Sequence, residues 1–224
     1  ERNQMVRDLQ PHIIINNRSR LDEDFGTPEG EVKALDRDWE ACKTFNGISW
    51  GYVDSEQAQP YSYNAQRILK MLNTATSGGG NLLLNIGPTP DGSVPEEAVE
   101  PLTKVGKWLQ ENGEAVYGNK QRTSFNRANG VCGSSWDGDK NVYLWNWIWP
   151  DEGEMGLGGF MTPVASIEII NDGTPVEFEQ KGHRIILKNL PEKSPDEHAG
   201  VAVLKIEFEE TPEFHRCSYY PQLH

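Results

Sequence analysis

Two hydrophobic rhythms alternate along the first 118 residues. Met5, Val6 and Leu9 have helical spacing, with Pro11 as the stop; "ERNQMVRDLQP" starts without a capping residue and reads as the later part of a helix. His12 opens a β-branched run, Ile13-Ile14-Ile15, that ends in polar residues and predicts a buried strand over 12–16. A loop is expected over 17–44, and "GISWGY" (47–52) predicts a short strand with aromatic ends. In "SYNAQRILKMLNTATSGGG", Ile68, Leu69, Met71 and Leu72 mark an amphipathic helix that the glycine run stops. "NLLLNIGP" predicts a second buried strand. In the next helix Ser93 is placed as cap, and Glu96 and Glu97 sit in the first turn, where the dipole favours them. Val99, Leu102, Val105, Gly106 and Leu109 then repeat at helical spacing until Asn112-Gly113. Helices alternating with buried strands predict a parallel sheet.

From about residue 119 the period shortens. "NVYLWNWIW", "ASIEIIN", "VEFEQ", "HRIILKNL" and "GVAVLKIEFEE" are strand-like runs, with "NDGTP" and "EQKGHR" as hairpin or loop connections. Short strands at this spacing predict an antiparallel sandwich. The change at Gly118-Asn119 divides the chain into an α/β part, 1–118, and an all-β part, 119–224. A complete eight-stranded α/β barrel needs ~250 residues, so the first part has room for about half of one. The chain reads as a piece of something longer.

Composition narrows the function. The 224 residues are 36% hydrophobic and 25% charged, as in soluble globular proteins of one or two domains. No apolar stretch approaches the ~18 residues of a membrane span. A net charge of −13, from 21 Lys+Arg against 34 Asp+Glu, argues against nucleic acid and against anionic membranes. Seven Trp and seven Tyr suit either sugar stacking or two aromatic cores. Cys42, Cys132 and Cys217 have no metal spacing, and at most one disulfide can form. The five histidines show no ligand spacing, and neither "SGGGN" nor "GPTPDG" has the lysine and hydroxyl of a phosphate loop. No metal or cofactor is therefore expected. Asn17-Arg18-Ser19 matches a glycosylation acceptor, but a glycan there would obstruct a pocket lined by Arg18, so the sequon is read as unused.

Candidate chemistry gathers in "NNRSRLDEDFGTPEGEV" (16–32), where Asp22, Glu23, Asp24, Glu29 and Glu31 crowd together with Arg18 and Arg20. Such a loop is ordinarily solvated surface. Its place after a strand changes that reading, because α/β barrels carry their catalytic groups at the carboxyl ends of strands. Asn16, Asn17, Arg18 and Glu29 occupy that position.

"LQPHIIINNR", "DFGTPE", "WEACKTFNGISWGY", "SGGGNLLLNIGPTPDGSVP" and "LTKVGKWLQENGEAVYG" resemble, in order, the carboxyl-terminal half of the catalytic domain of family-29 glycoside hydrolases, the α-L-fucosidases. The strands after 119 fit that family's following β-sandwich in architecture. The resemblance implies retaining hydrolysis of terminal α-L-fucosides by two carboxyl groups ~5–5.5 Å apart, one of them an acid of raised pKa. Glu29 matches the family's acid/base position, and its acidic neighbours would favour its protonated form if they came close. Another acid within 22–31 is the alternative, and Glu40 of "WEAC" is read as structural. Arg18 resembles a fucose-contacting arginine, against the competing reading of a salt bridge to the acidic loop. Trp50 falls where the family sets an aromatic ring against the sugar's apolar face; the competing reading is a core tryptophan.

The family's nucleophilic Asp lies on a strand before the opening helix and has no counterpart in these residues. The expected partners are thus a fucosylated glycan and the amino-terminal part of the barrel, whether from a longer or nicked chain or from another subunit in a homo-oligomer. The alternative function is a non-catalytic carbohydrate-binding or structural fragment. By the same resemblance the location is secreted, periplasmic or lysosomal.

Overall fold

The computed structural model describes residues 2–118 and 131–214. Asn119, on the far side of the expected boundary, and Cys217 lie outside the described residues. The first part holds helix α1 (Arg2–Leu9), strand β1 (Glu40–Thr44), the short helix α2 (Ser55–Ala58), helix α3 (Ala65–Ser77), strand β2 (Asn81–Asn85) and helix α4 (Glu96–Asn112). β1 and β2 pair in parallel from Glu40↔Asn81 to Thr44↔Asn85, with α3 as the crossover between them. Single parallel bridges at Asn16↔Phe25, Gly26↔Trp39 and Glu29↔Cys42 continue this order outward from β1.

Helix α3 follows its sequence signals. The Asn64 side chain accepts from the Arg67 N–H and caps the first turn, Ile68 and Leu69 are buried, and Gly78 and Gly79 close the end. The return into β2 passes so close to Trp39 that a Cβ on Gly80 would lie 2.2 Å from its ring. Trp39, Ala41 and Ala75 thereby form a small core between β1 and α3. α4 starts after Pro95 without a side-chain cap. Ser93, expected there, instead joins a turn with Thr89 and Asp91, which satisfies its hydroxyl locally. Glu97 in the first turn accepts from the Ser55 hydroxyl at 2.6 Å, tying α2 to α4.

Three strand expectations are corrected. Residues 12–16 form no strand: only Asn16 is bridged, and Ile14 is 72% exposed, because the run lacks a ladder partner along its length. Residues 47–52 form no strand either. Asn46 Oδ1 accepts from both the Ile48 and Ser49 N–H groups, and Gly47 has φ 67°, so the chain curls. The expected loop over 17–44 instead ends in a real strand, β1. β2 is where expected but only partly covered, with Leu83 41% exposed.

The second part contains β3 (Cys132–Trp136), β4 (Asn141–Asn146), β5 (Met155–Gly158), β6 (Val164–Ile169), β7 (Thr174–Pro175), β8 (Glu177–Lys181), β9 (Arg184–Lys188) and β10 (Ala202–Phe208). They make a five-stranded sheet, β3-β4-β10-β6-β7, and a three-stranded sheet, β5-β9-β8; every pairing is antiparallel. "NDGTP" and "EQKGHR" form the hairpins β6–β7 and β8–β9, with Gly173 and Gly182 at positive φ. Leu144, Ile167, Leu204 and Ile206 of the larger sheet meet Leu157, Ile185 and Leu187 of the smaller one in a shared core, as in a sandwich.

The other face of the larger sheet is covered too. Tyr143, Trp145 and Val203 pack against Ile68 and Leu69 of α3 and against Trp108 of α4. The rings of Trp108 and Trp145 lie 4.8 Å apart, and Trp108 Nε1 donates to the Val201 carbonyl at 2.7 Å. β4 is therefore a strand buried on both faces, which explains its nearly unbroken apolar run. No helix among the described residues is long and apolar enough to cross a membrane.

Candidate active site

Arg18 and Glu29 lie on the segments bridged in parallel beside β1, and Trp50 lies in the turn after β1. Asn16 ends the first bridged segment, and its side chain accepts from the Arg18 N–H to cap a single 3-10 turn, Asn17–Ser19. Asn17 Oδ1 accepts from both the N–H and the hydroxyl of Thr27, fastening this turn to the next extended segment. Arg18 is thereby aimed along that segment. Its Nε donates to the Thr27 hydroxyl at 2.9 Å and its Nη1 to Glu29 Oε2 at 2.8 Å. The Arg18 and Glu29 side chains are 46% and 50% exposed, so they form an open surface pair and not a buried one.

Glu29 bridges Cys42, and Cys42 N–H donates to the Pro28 carbonyl at 3.2 Å, which registers Glu29 beside the middle of β1. The expected crowd of acids around it is not assembled. Arg7 of α1 holds Glu23 and Asp24 at 2.9 and 2.8 Å, and Arg37 pairs with Asp22. Hydrogen bonds from Asn3 and then Arg7 push the Glu23 carboxyl below its ordinary range. The Ile15 N–H and then Arg7 do the same for Asp24. The acidic loop is thus three arginine-centred groups. Glu23 and Asp24 share Arg7, while Asp22 and Glu29 are held by Arg37 and Arg18.

Trp50 is 45% exposed, so it is not a core tryptophan in this structure. Its backbone is fixed to the ends of β1 and β2. Asn85, the last residue of β2, donates from Nδ2 to the Trp50 carbonyl at 2.9 Å and to the Thr44 hydroxyl at 3.2 Å. Thr44, the last residue of β1, in turn donates to the Ser49 carbonyl at 2.7 Å. The structure thus brings Arg18 and Glu29 into contact and ties Trp50 to the strand ends through Asn85 and Thr44. Glu40 sits at the opposite, amino-terminal end of β1, paired with Asn81. Sequence reasoning missed Thr27, Thr44 and Asn85. The signal for Thr44 and Asn85 was a polar residue closing a strand; Thr27 had none.

Among the described residues no group of three or more His, Cys, Asp or Glu is arranged to hold a metal ion. Cys42 and Cys132 carry free thiols, and burial raises the Cys132 pKa.

Comparison with known proteins gives one consistent picture. The family model for Alpha-L-fucosidase matches residues 1–114. An alpha-L-fucosidase of Branchiostoma floridae is 33% identical over 164 residues, covering 71% of this chain and 35% of the relative. The plasma alpha-L-fucosidase of Homo sapiens is 33% identical over 163 residues, covering 70% and 35%. The chain thus spans about a third of the length of these relatives. Among solved structures, alpha-L-fucosidase isoenzyme 1 of Paenibacillus thiaminolyticus superposes with a TM-score of 0.78 at 23% identity, covering 92% of this chain and 52% of that one. An alpha-L-fucosidase of Bacteroides thetaiotaomicron gives 0.74 at 24% identity, covering 92% and 50%. At that identity the structural likeness speaks for the fold.

Proposed function

Because the chain belongs to the α-L-fucosidase family, we propose that it forms the acid/base and sugar-contacting part of a retaining α-L-fucosidase acting on terminal α-L-fucose of glycoconjugates or oligosaccharides. The observation that carries this reading is that Arg18 and Glu29 lie side by side, 46% and 50% exposed, inside the family-matched segment. Their 2.8 Å pair is also the salt bridge to the acidic loop that competes with the sugar-contact reading, so a sugar hydroxyl must share or replace it. Glu29 is the general acid/base: its carboxyl protonates the leaving oxygen, and its carboxylate then takes a proton from the attacking water. Arg18 has five N–H donors in a fixed fork; with Nε on Thr27 and Nη1 on Glu29, it has further donors to offer a sugar hydroxyl. Trp50 offers an exposed ring to the sugar's apolar face and methyl group.

In this reading, residues 1–118 are the carboxyl-terminal part of a (β/α)8-like barrel and 119–224 a β-sandwich domain. The nucleophilic Asp comes from the amino-terminal part of the barrel, in a longer chain or from another subunit. The share of each relative's length covered supports this. The test is hydrolysis of an aryl α-L-fucoside by the protein assembled with its amino-terminal part, with the anomer of the released fucose followed by NMR. Release of the α-anomer first supports the proposal; inverted product, or no fucose release by the assembled protein, overturns it.

A further inference from the structure

We infer that Asn85 is a positioning residue of this site: it sets the place of Trp50 by bolting the 46–51 turn to the ends of β1 and β2. The inference rests on the reading of Trp50 as a sugar contact. Three features carry it. Nδ2 of Asn85 donates to the Trp50 carbonyl at 2.9 Å and to the Thr44 hydroxyl at 3.2 Å, so one amide joins the turn to both strands. Thr44 passes the link on to the Ser49 carbonyl at 2.7 Å, and Asn46 Oδ1 accepts from the Ile48 and Ser49 N–H groups, which makes the turn a closed hydrogen-bonded unit. Beyond Trp50, the chain runs against Gly87 so closely that a Cβ there would lie 2.2 Å from the Gly51 carbonyl oxygen. The turn is gripped on both sides of Trp50, while the Trp50 ring remains open. Such an arrangement orients an aromatic surface without burying it.

The amide donor is the decisive atom. Asn85→Asp replaces an N–H by a carboxylate oxygen that repels the Trp50 carbonyl, at unchanged shape. In the full, assembled chain this variant is expected to raise KM for an aryl α-L-fucoside about 10-fold while lowering kcat less than about threefold, because misplacing a binding surface is felt before chemistry. In a Trp50→Ala background the same change should add almost nothing, since a residue that acts only through Trp50 has no effect once the ring is gone. Amide hydrogen exchange at 48–52 should quicken in Asn85→Asp while α3 stays protected. Thr44→Val, which keeps the volume and removes the neighbouring link, should show the same pattern more weakly.

Full additivity of Asn85→Asp with Trp50→Ala, or unchanged exchange at 48–52, would overturn the inference. A Trp50→Ala variant with unaltered KM would instead defeat the sugar-contact role of Trp50, and with it the catalytic meaning of Asn85. Quickened exchange in that case identifies the proposed function, not the anchor, as the part that failed.

Discussion

Strands β2 and β10 are both apolar runs, yet they meet different fates. β10 is hydrogen-bonded to β4 on one side and β6 on the other, and its faces are closed by the smaller sheet and by α4; Leu204 is fully buried. Among the described residues β2 pairs with β1 alone. Leu82 and Leu84 pack toward the helices, and Leu83 is left 41% exposed. The same local code thus completes a core in the antiparallel region and leaves one face open in the parallel region. Thr44 and Asn85, the polar residues that end β1 and β2, tie down the turn at Trp50, and Arg18 and Glu29 pair on the segments bridged beside β1. One region closes its core between two sheets and the helices; the other leaves part of its sheet, and the proposed site residues, open to solvent.

The sharpest way to break this contrast is to ask whether the 224 residues work alone. An open parallel sheet leaves strand edges and apolar faces uncovered, and the retaining route cannot proceed without a nucleophile. The isolated chain is expected to release no fucose from aryl α-L-fucosides, and an added amino-terminal barrel fragment should restore turnover. Full turnover by a verified, homogeneous 224-residue chain would defeat the account, unless neighbouring copies were shown to build the carboxylate pair between them.

Within the assembled protein, Glu29→Gln separates the two regions by consequence. Substrates with poor leaving groups should slow by ~10²–10⁴-fold, the range of general acid catalysis. Activated aryl fucosides should suffer far less in the glycosylation step, with external azide partly rescuing their turnover. The melting temperature should hardly move, since the Glu29 pair is half exposed. An equal loss for both substrate types without rescue would make Glu29 a structural residue.

A core truncation should do the reverse. Leu204→Ala removes a fully buried side chain between two sheets and should cost about 2–5 kcal/mol in denaturant unfolding. Leu83→Ala in the isolated chain should cost less than about 1 kcal/mol, because much of that side chain is already in solvent. If the amino-terminal part covers β2, the Leu83→Ala cost should grow on assembly while that of Leu204→Ala stays constant. Equal costs in the isolated chain would remove the distinction between the regions.

The sequence was most legible where local signals and tertiary demand agreed. α3 has its Asn64 cap, its apolar stripe and its glycine stop, and it runs as expected. The hairpins at Gly173 and Gly182 follow their turn residues. β1 was hidden inside an expected loop because "EACKT" has almost no apolar alternation; its pairing with β2 and the packing of Ala41 on α3 make it a strand. β3, β5 and β7 are short, polar or glycine-rich, and neighbouring strands define them. Ile13-Ile14-Ile15 shows the converse, a strong strand signal without a strand. At the site, Arg18 and Glu29 were singled out by their place after an expected strand and by the family resemblance; the strand is reduced to one bridge at Asn16, and what the structure adds is the Arg18–Glu29 contact. The division of the acidic loop among Arg7, Arg18 and Arg37 was not readable, because it depends on where α1 and the 3-10 turn dock.

That division sets the smallest expected effect, a response to acid confined to the parallel region. Glu23 and Asp24 have carboxyl pKa values lowered in the folded state by Asn3, the Ile15 N–H and Arg7. A depressed folded pKa contributes stability that is present above the unfolded value and is lost as pH falls through the folded one. The docking of α1 on the loop should therefore hold at neutral pH and weaken below about pH 4, the ordinary carboxylate range. Glu179, held by Lys181 and Lys188 with its pKa lowered to about 2, should keep its ion pairs on β8 and β9 to more acidic solution. Amide exchange along 2–25 should accordingly quicken at a pH where the β8–β9 hairpin is still protected. Arg7→Ala should shrink the step, leaving the Asn3–Glu23 bond as the acid-sensitive contact of α1. If acid instead loosens the β8–β9 hairpin first, or if Arg7→Ala leaves the step unchanged, the Arg7 cluster does not hold α1 in place.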